Sequence, residues 1–559
     1  LLPSDAPVRF GCRTWATLPD EIQAAFAEFW RPIWSRDPPG PVEENVDDPG
    51  LRRLLEAIGP ALPTLSVTTD CEEAWRETLA NMKGRSSPGT CGFRVPELRI
   101  LPWAALRDLS GLFSRSYSVG LPASMMQARV SLLAKVPEPT GVNDLRPITI
   151  LATLYRAWAS MITRQLLRAW ASSGRLPAGI FGGIPCRSAR DLSWDVEMLL
   201  EACLNEGDST AAGISVDLIK FFNQIPWSPI RSLLIHLGVA PELASFWVRS
   251  LTRLTRRSLV MGSLSDEVPC TNGLPEGDPL SVPGAIAVGW ALSQALSHLP
   301  VCTRVFIDNI SIVTDMAESL VPATADFEEA CLALRLPIDW KKSFAWGLQS
   351  SDREWLADWL NELGSPGHHP RLVRDIRELG VHFRYARVDR IQTFRARCDR
   401  GYQRLKRLAG APRPLAQKLR LIQCGVWPVV FYGAEGRCPS RTSFAQLRTA
   451  AVRALFGDDK SASPFLALSC LADTVLDPAP FFYLQCLRLW RRFFNRDPDR
   501  ASAAWAFVTC EPRHSRDYAG PGAALRSMAH QLGWTAHDRG VLKGPEHALV
   551  DLRTMSTKE

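Results

Sequence analysis

A chain of 559 residues is too long for one hydrophobic core and should divide into about three or four packed units. With 46% hydrophobic and 22% charged residues it has ample core material, and no apolar run approaches the roughly eighteen residues needed to cross a bilayer, which excludes a membrane-spanning helix. The net charge is +7, from 65 Lys and Arg against 58 Asp and Glu, and it is local: between Arg371 and Arg420 fifteen basic residues stand against four acidic ones.

The fourteen Cys are scattered singly, which fits reduced intracellular thiols better than a disulfide framework. Cys510 with His514 in CEPRH comes nearest to a metal motif, but His530 and His537 fall at no familiar spacing, so no zinc site is expected. The opening LLPSDAPVRF has no initiator Met, basic leader or apolar signal core and reads as part of a longer polypeptide.

In chain order, residues 1–80 read as a mostly helical extension, with Trp15, Trp30, Trp34 and Trp75 as packing anchors, broken by the loop RDPPGPVEENVDDPG. KGRSSPGTCGF, from Lys83 to Phe93, is a basic Gly/Ser/Pro loop suited to touching phosphate, and two helix-like segments follow it to about Pro122. RVSLLAKVPEP predicts a strand, and RPITILATLYRAWASMITRQLLRAW a turn leading into a long amphipathic helix. GISVDLIKFFNQI reads as strand then helix, and VPCTNGLPEGDPLSVPGAIAVGWALSQAL as a Gly/Pro loop opening a largely buried helix. RVFIDNISIVT, residues 304–314, closes two β-branched arms around Asp308 and Asn309. The run from FRARCDRGYQRLKRL to AQKLRLIQ has helical spacing and a basic stripe suited to gripping phosphates, and LRLWRRFFNRDP and SMAHQLGW predict a helical C-terminal domain. This order of strand, helix, helix and hairpin is α+β rather than a regular βαβ repeat.

Two carboxylates stand out. Asp217 ends the apolar strand AGISVD, where an unpaired charge is a ligand, a helix cap or a catalytic group. Asp308 with Asn309 is either a hairpin turn, since both residues tolerate positive φ, or half of a metal site with one carboxylate exchanged for an amide. If strand and hairpin pair in one sheet, the two Asp side chains meet, which is how a two-metal phosphoryl-transfer site is built from hard oxygen ligands.

Taken together, these segments resemble the reverse transcriptase family, most closely its non-LTR retrotransposon branch, from about Lys83 to about Glu435. KGRSSPGTCGF is similar to the family's Lys-x-Pro-Gly-x-Asp-Gly loop with its Asp missing, and AKVPEPTGVNDLRPITIL to the fingers motif. SVDLIKFFNQI resembles the first palm motif, NGLPEGDPLSV the template and nucleotide loop, FIDN the Tyr-x-Asp-Asp hairpin, and IDWKKS the following Lys motif. RELGVHF looks like the primer-grip turn, and FYGAE like a short motif after the thumb.

The resemblance implies a right-hand polymerase: fingers and palm over residues 81–370, with an antiparallel sheet packed on helices, a basic helical thumb over 371–450, and a helical region over 451–559. It implies an RNA-directed DNA polymerase that uses two Mg²⁺ ions, with Mn²⁺ as a substitute, and takes an RNA template, a DNA primer, deoxynucleoside triphosphates and its own element's RNA. Such a protein would be intracellular, in nucleus and cytoplasm, and away from membranes. Asp217, Asp308 and the carbonyl of Leu218 would hold the metals, with Asn309 beside them. Lys135 and Arg146 would hold the incoming triphosphate, and Glu276 and Gly277 would lie against the nucleotide. Phe222 would crowd a ribose 2′-hydroxyl, and Lys342 would protonate the leaving pyrophosphate. The family usually has Asp at position 309, and commonly Asp at 223 and Gln at 276. The alternatives are a catalytically degenerate scaffold that holds RNA, and an RNA-directed RNA polymerase, against which Phe222 argues.

Overall fold

The computed structural model describes residues 8–9, 15–36, 48–68, 71–205, 210–364, 367–385, 392–436, 438–457, 463–470, 476–509 and 520–554. Cys510 and His514 lie outside them. The chain forms two compact units, one of residues 1–186, 215–312 and 319–343, the other of 187–214, 313–318 and 344–559. None of the described helices is long and apolar enough to cross a membrane.

In the first unit, helix α1 (Pro19–Trp34) has Asp20 and Glu21 in its first turn, where carboxylates complement the free N–H groups. Its apolar face, Ile22, Ala25, Phe26, Trp30 and Trp34, is buried with Val130, Leu132, Leu145 and Val260. Those four partners come from a four-stranded sheet of β1 (Gln127–Ala134), β2 (Leu145–Ile150), β4 (Thr255–Val260) and β5 (Ser263–Leu264), in the order β2-β1-β4-β5. β1 pairs antiparallel with β2, Leu133 opposite Arg146, and parallel with β4. The N-terminal helix is therefore part of this sheet's core rather than a separate layer.

Helix α2 (Thr153–Ser172) follows β2, and β3 (Ala212–Asp217) precedes a single helical turn, α3 (Phe221–Gln224). Helix α4 (Ser281–Ala295) is buried almost all round, as its continuous apolar sequence predicts. It leads to β6 (Cys302–Phe306) and β7 (Asn309–Thr314). The neighbours run β3-β7-β6, with Ser215 and Ser311 hydroxyls 3.3 Å apart.

The second unit holds β8 (Phe344–Gly347) and β9 (Arg371–Leu372), paired in parallel, so the sheets are mixed rather than wholly antiparallel. Strands β10 (Asp375–Glu378) and β11 (Val381–Arg384) form a hairpin whose two loop residues, Leu379 and Gly380, both have positive φ, as a type I′ turn requires. The basic stretch thus begins as strands and becomes helical only at α5 (Gln392–Ala409). Tyr432 of FYGAE donates its hydroxyl to the Leu379 carbonyl (3.0 Å) and lies under the Arg397 guanidinium, which fixes the hairpin turn. Helices α6 (Arg441–Phe456), α7 (Pro478–Arg496) and α8 (Pro521–Leu532) share a core of Phe444, Leu447, Phe482, Trp490 and Leu525. A three-stranded antiparallel sheet over residues 535–551 adds a β element to the region expected to be helical.

Candidate active site

Ala212 to Val216 of β3 are all buried, and Asp217 is the first residue with access to solvent. A carboxylate within that strand would pay desolvation without a partner, so the charge sits at the open end. Backbone bonds fix that end on two sides. The Leu218 N–H donates to the Asp308 carbonyl (3.3 Å), while Ile219 N–H donates to Pro337 O (2.9 Å) and Asp339 N–H to Asp217 O (2.8 Å). Ser343 Oγ accepts from the Asp217 N–H (3.2 Å) and donates to the Asp339 carbonyl (2.9 Å). In an extended residue N–H and C=O leave on the same edge, so the Leu218 carbonyl is directed toward the hairpin turn.

The hairpin turn is not the Asp308–Asn309 pair expected from the sequence. Its two loop residues are Ile307 and Asp308, and Asn309 is the first residue of β7. Positive φ falls on Ile307, at 60°, although a β-branched side chain is strained there. The turn is held from outside: Gly182 packs so closely that an added Cβ would lie 2.6 Å from the Ile307 nitrogen, and Val305 exchanges backbone bonds with Gly179 and Phe181. Ile307 is thereby forced into the left-handed region, and Asp308 takes the second loop position without a positive φ, over the end of β3.

Lys342 bridges Asp217 (3.1 Å) and Asp339 (2.9 Å). Burial works against its charge, but its bonds to Asp339 and Asp217 outweigh that, and the ammonium titrates above an ordinary lysine. Burial raises the Asp217 carboxyl above the usual range despite Lys342. Asp308 opens to solvent, yet the protein packed around it raises its carboxyl too, and the Asp217 charge adds to the effect. Two oxygen-donor groups that both resist ionisation, Asp308 in part because of the Asp217 charge, are a donor set suited to a hard divalent cation. Among the described residues no group of three or more His, Cys, Asp and Glu gathers into a closed metal cluster. A pair of carboxylates with a backbone carbonyl fits Mg²⁺, which commonly completes its octahedron with water and phosphate oxygens.

Facing these carboxylates are three further cations. Lys135 follows β1 and donates to Asn143 O (2.9 Å), and Arg146 lies on β2 beside Glu276 (3.6 Å). Lys220, whose φ is 46°, donates to Asn143 Oδ1 (2.8 Å). Burial lowers the Lys135 and Lys220 pKa values, and neighbouring cations lower them further: Arg146 acts on Lys135, and Lys135 and Lys342 act on Lys220. An anionic ligand would relieve that repulsion.

Phe222 is half-buried, edge-on to Phe221, and its carbonyl accepts from the Leu274 N–H (2.6 Å). Gly277 has φ 129°, and a Cβ there would sit 2.3 Å from the Thr149 carbonyl, so the close approach that needs glycine is to β2. Sequence reading overlooked Lys220, Asp339, Ser343 and Asp278. Asp278, in the same GDP triplet as Gly277, is fully buried and accepts from Tyr155 Oη (3.0 Å), Trp247 Nε1 (3.0 Å) and Leu280 N (3.0 Å). Burial pushes its carboxyl up to about 6. A lone Asp after Gly carries no local sign of such partners, 123 and 31 positions away.

No curated protein matches the chain. Residues 136–369, which take in Arg146, Asp217, Phe222, Glu276, Asp308 and Lys342 but begin one residue after Lys135, match the family model for reverse transcriptase (RNA-dependent DNA polymerase), and over that span the chain is similar to such enzymes.

Proposed function

We propose that the chain is an RNA-directed DNA polymerase of the non-LTR retrotransposon type, extending a DNA primer on an RNA template. The observation that carries this reading is the meeting of Asp217 and Asp308 through the Leu218–Asp308 backbone bond, opposite a wall of Lys and Arg, inside the span similar to reverse transcriptases. Asp217, Asp308 and the Leu218 carbonyl would hold the Mg²⁺ ions, whose charge would stabilise the attacking and leaving oxygens of phosphoryl transfer. Lys135 and Arg146 would bind the triphosphate, and Lys342, held on Asp217 and Asp339, would donate a proton to the pyrophosphate oxygen as it leaves. The basic α5 supports salt-sensitive, sequence-independent contact with template and primer backbones, and the hairpin turn at Leu379 and Gly380 is the candidate primer grip. Primer extension on a defined RNA template, with deoxy- or ribonucleotides and Mg²⁺ or Mn²⁺, tests the reading; no incorporation under any of these conditions would favour an RNA-holding scaffold.

Because both carboxylates titrate high, they bind protons in competition with metal. The Mg²⁺ concentration for half-maximal rate should climb on acidification while the pH is still above the ordinary carboxylate range.

Two substitutions sharpen the assignment. Phe222→Val removes most of the ring and should raise ribonucleotide incorporation relative to deoxynucleotide by about tenfold or more; an unchanged ratio would make Phe222 ordinary packing. Asn309→Asp adds a charge beside the pair and should lower the half-maximal Mg²⁺ concentration, whereas Asn309→Ala should raise it. Since Ile307 carries the positive φ, a turn requirement does not explain Asn309, and superimposable Mg²⁺ curves for Asn309→Ala and wild type would remove it from the site.

A further inference from the structure

Glu276 and Asn223 both depart from the resembled pattern, and the structure joins them. Trp34 Nε1 donates to Asn223 Oδ1 (2.7 Å), Asn223 Nδ2 donates to Glu276 Oε1 (2.8 Å), and Glu276 Oε2 lies 3.6 Å from Arg146 Nε. The amide can face only one way, because an indole nitrogen can only donate and a carboxylate can only accept. Trp34 is 1% exposed and Asn223 4%, so the bond between them is shielded from water, and the one to Glu276 is partly so. Backbone bonds clamp the same elements: Thr271 and Asn272 N–H groups donate to Trp34 O (2.7 and 3.1 Å), and Thr149 N–H donates to Glu276 O (2.7 Å). Arg36, just past α1, donates to Gln224 Oε1 and Gln224 O (2.8 and 2.9 Å), and Lys220 rests over the rings of Phe29 and Trp30.

We propose that α1 is a positioning element of the nucleotide site: Trp34 acts through Asn223 and Glu276 to aim Arg146, and the resting site keeps Arg146 on a carboxylate that a triphosphate must displace. This rests on the proposed function, in which Arg146 meets the triphosphate. The chain of donors has a fixed polarity. Asn223→Asp would set two carboxylates against each other, and Glu276→Gln added to it would restore a donor and acceptor in the reverse order. Glu276→Gln alone keeps an acceptor for Asn223 but ends the ion pair with Arg146, so it uncouples Trp34 from the nucleotide site.

Two measurements test the relay. In thermal unfolding, Asn223→Asp should lose several degrees and the Asn223→Asp/Glu276→Gln double variant should regain most of them; a double variant no more stable than Asn223→Asp overturns the relay. In primer extension, Trp34→Phe, which keeps ring stacking but removes the N–H, should raise the deoxynucleotide KM about threefold to tenfold with kcat little changed. In a Glu276→Gln background the same substitution should leave KM where it is, and an equal shift in both backgrounds overturns the proposal. If wild-type protein extends no primer, the polymerase reading fails, while the unfolding midpoints still decide whether the relay exists.

Discussion

Asp308→Ala or Asp217→Ala should lower primer extension by at least about a thousandfold while leaving the fold and template binding nearly intact. A residue at the end of a buried strand and another in a two-residue turn contribute little apolar packing, and the Asp217 charge raises the energetic cost of the charge on Asp308. Removing one relieves that repulsion, so the melting temperature should hold or rise slightly even as activity vanishes. The informative comparison is a primer-extension time course beside thermal unfolding and RNA affinity for both variants. Extension that persists in Asp308→Ala would end the assignment of the metal pair, whereas loss of fold in step with activity would mark both residues as structural.

Asp278→Ala should produce the largest loss of stability, about 3–5 kcal/mol, because it leaves the hydroxyl of Tyr155 and the indole N–H of Trp247 buried without an acceptor. The pH dependence follows from the raised carboxyl. Its pKa in the fold is about 6, against 3.8 for the free group, so the folded state binds the proton more tightly. The stability this confers is fully present below pH 3.8 and is lost as pH rises to about 6, a change of order 3 kcal/mol. Asp278→Asn cannot ionise. Unfolding free energies of wild type minus Asp278→Asn should therefore fall between those two pH values and be flat above them; a difference independent of pH would mean that Asp278 titrates normally in the fold. Asp278 anchors the loop of Glu276 and Gly277, so under the proposed function Asp278→Ala should also weaken deoxynucleotide binding.

The sequence made some features legible because burial patterns are local. A mostly apolar run, Ala212 to Val216, ending in one Asp announced β3 and its exposed carboxylate, and the unbroken apolar run of 282–292 announced a helix buried almost all round. The basic stripe of α5 was readable for the same reason, since charge and period are both carried within one segment. The hairpin was readable as a hairpin, but its turn was placed one residue too far along the chain, on the residue types that best tolerate positive φ. A positive φ at Ile307 costs about 1–3 kcal/mol. The packing of Gly182, the backbone bonds from Gly179 and Phe181 to Val305, and burial of Ile310 to Thr314 along β7 outweigh that local preference.

By itself, then, the sequence determined where the carboxylates, the cations and the apolar faces lie along the chain. Only the tertiary structure decided which polar groups are partners. Trp34, Asn223 and Glu276 are separated by 189 and 53 positions, and nothing near any of them in the chain signals the other two. A buried donor must find an acceptor, but the acceptor's identity depends on which elements pack against it. That choice is made by the apolar contacts of whole helices and sheets, here α1 on the β2-β1-β4-β5 sheet, and the polar contacts follow from it.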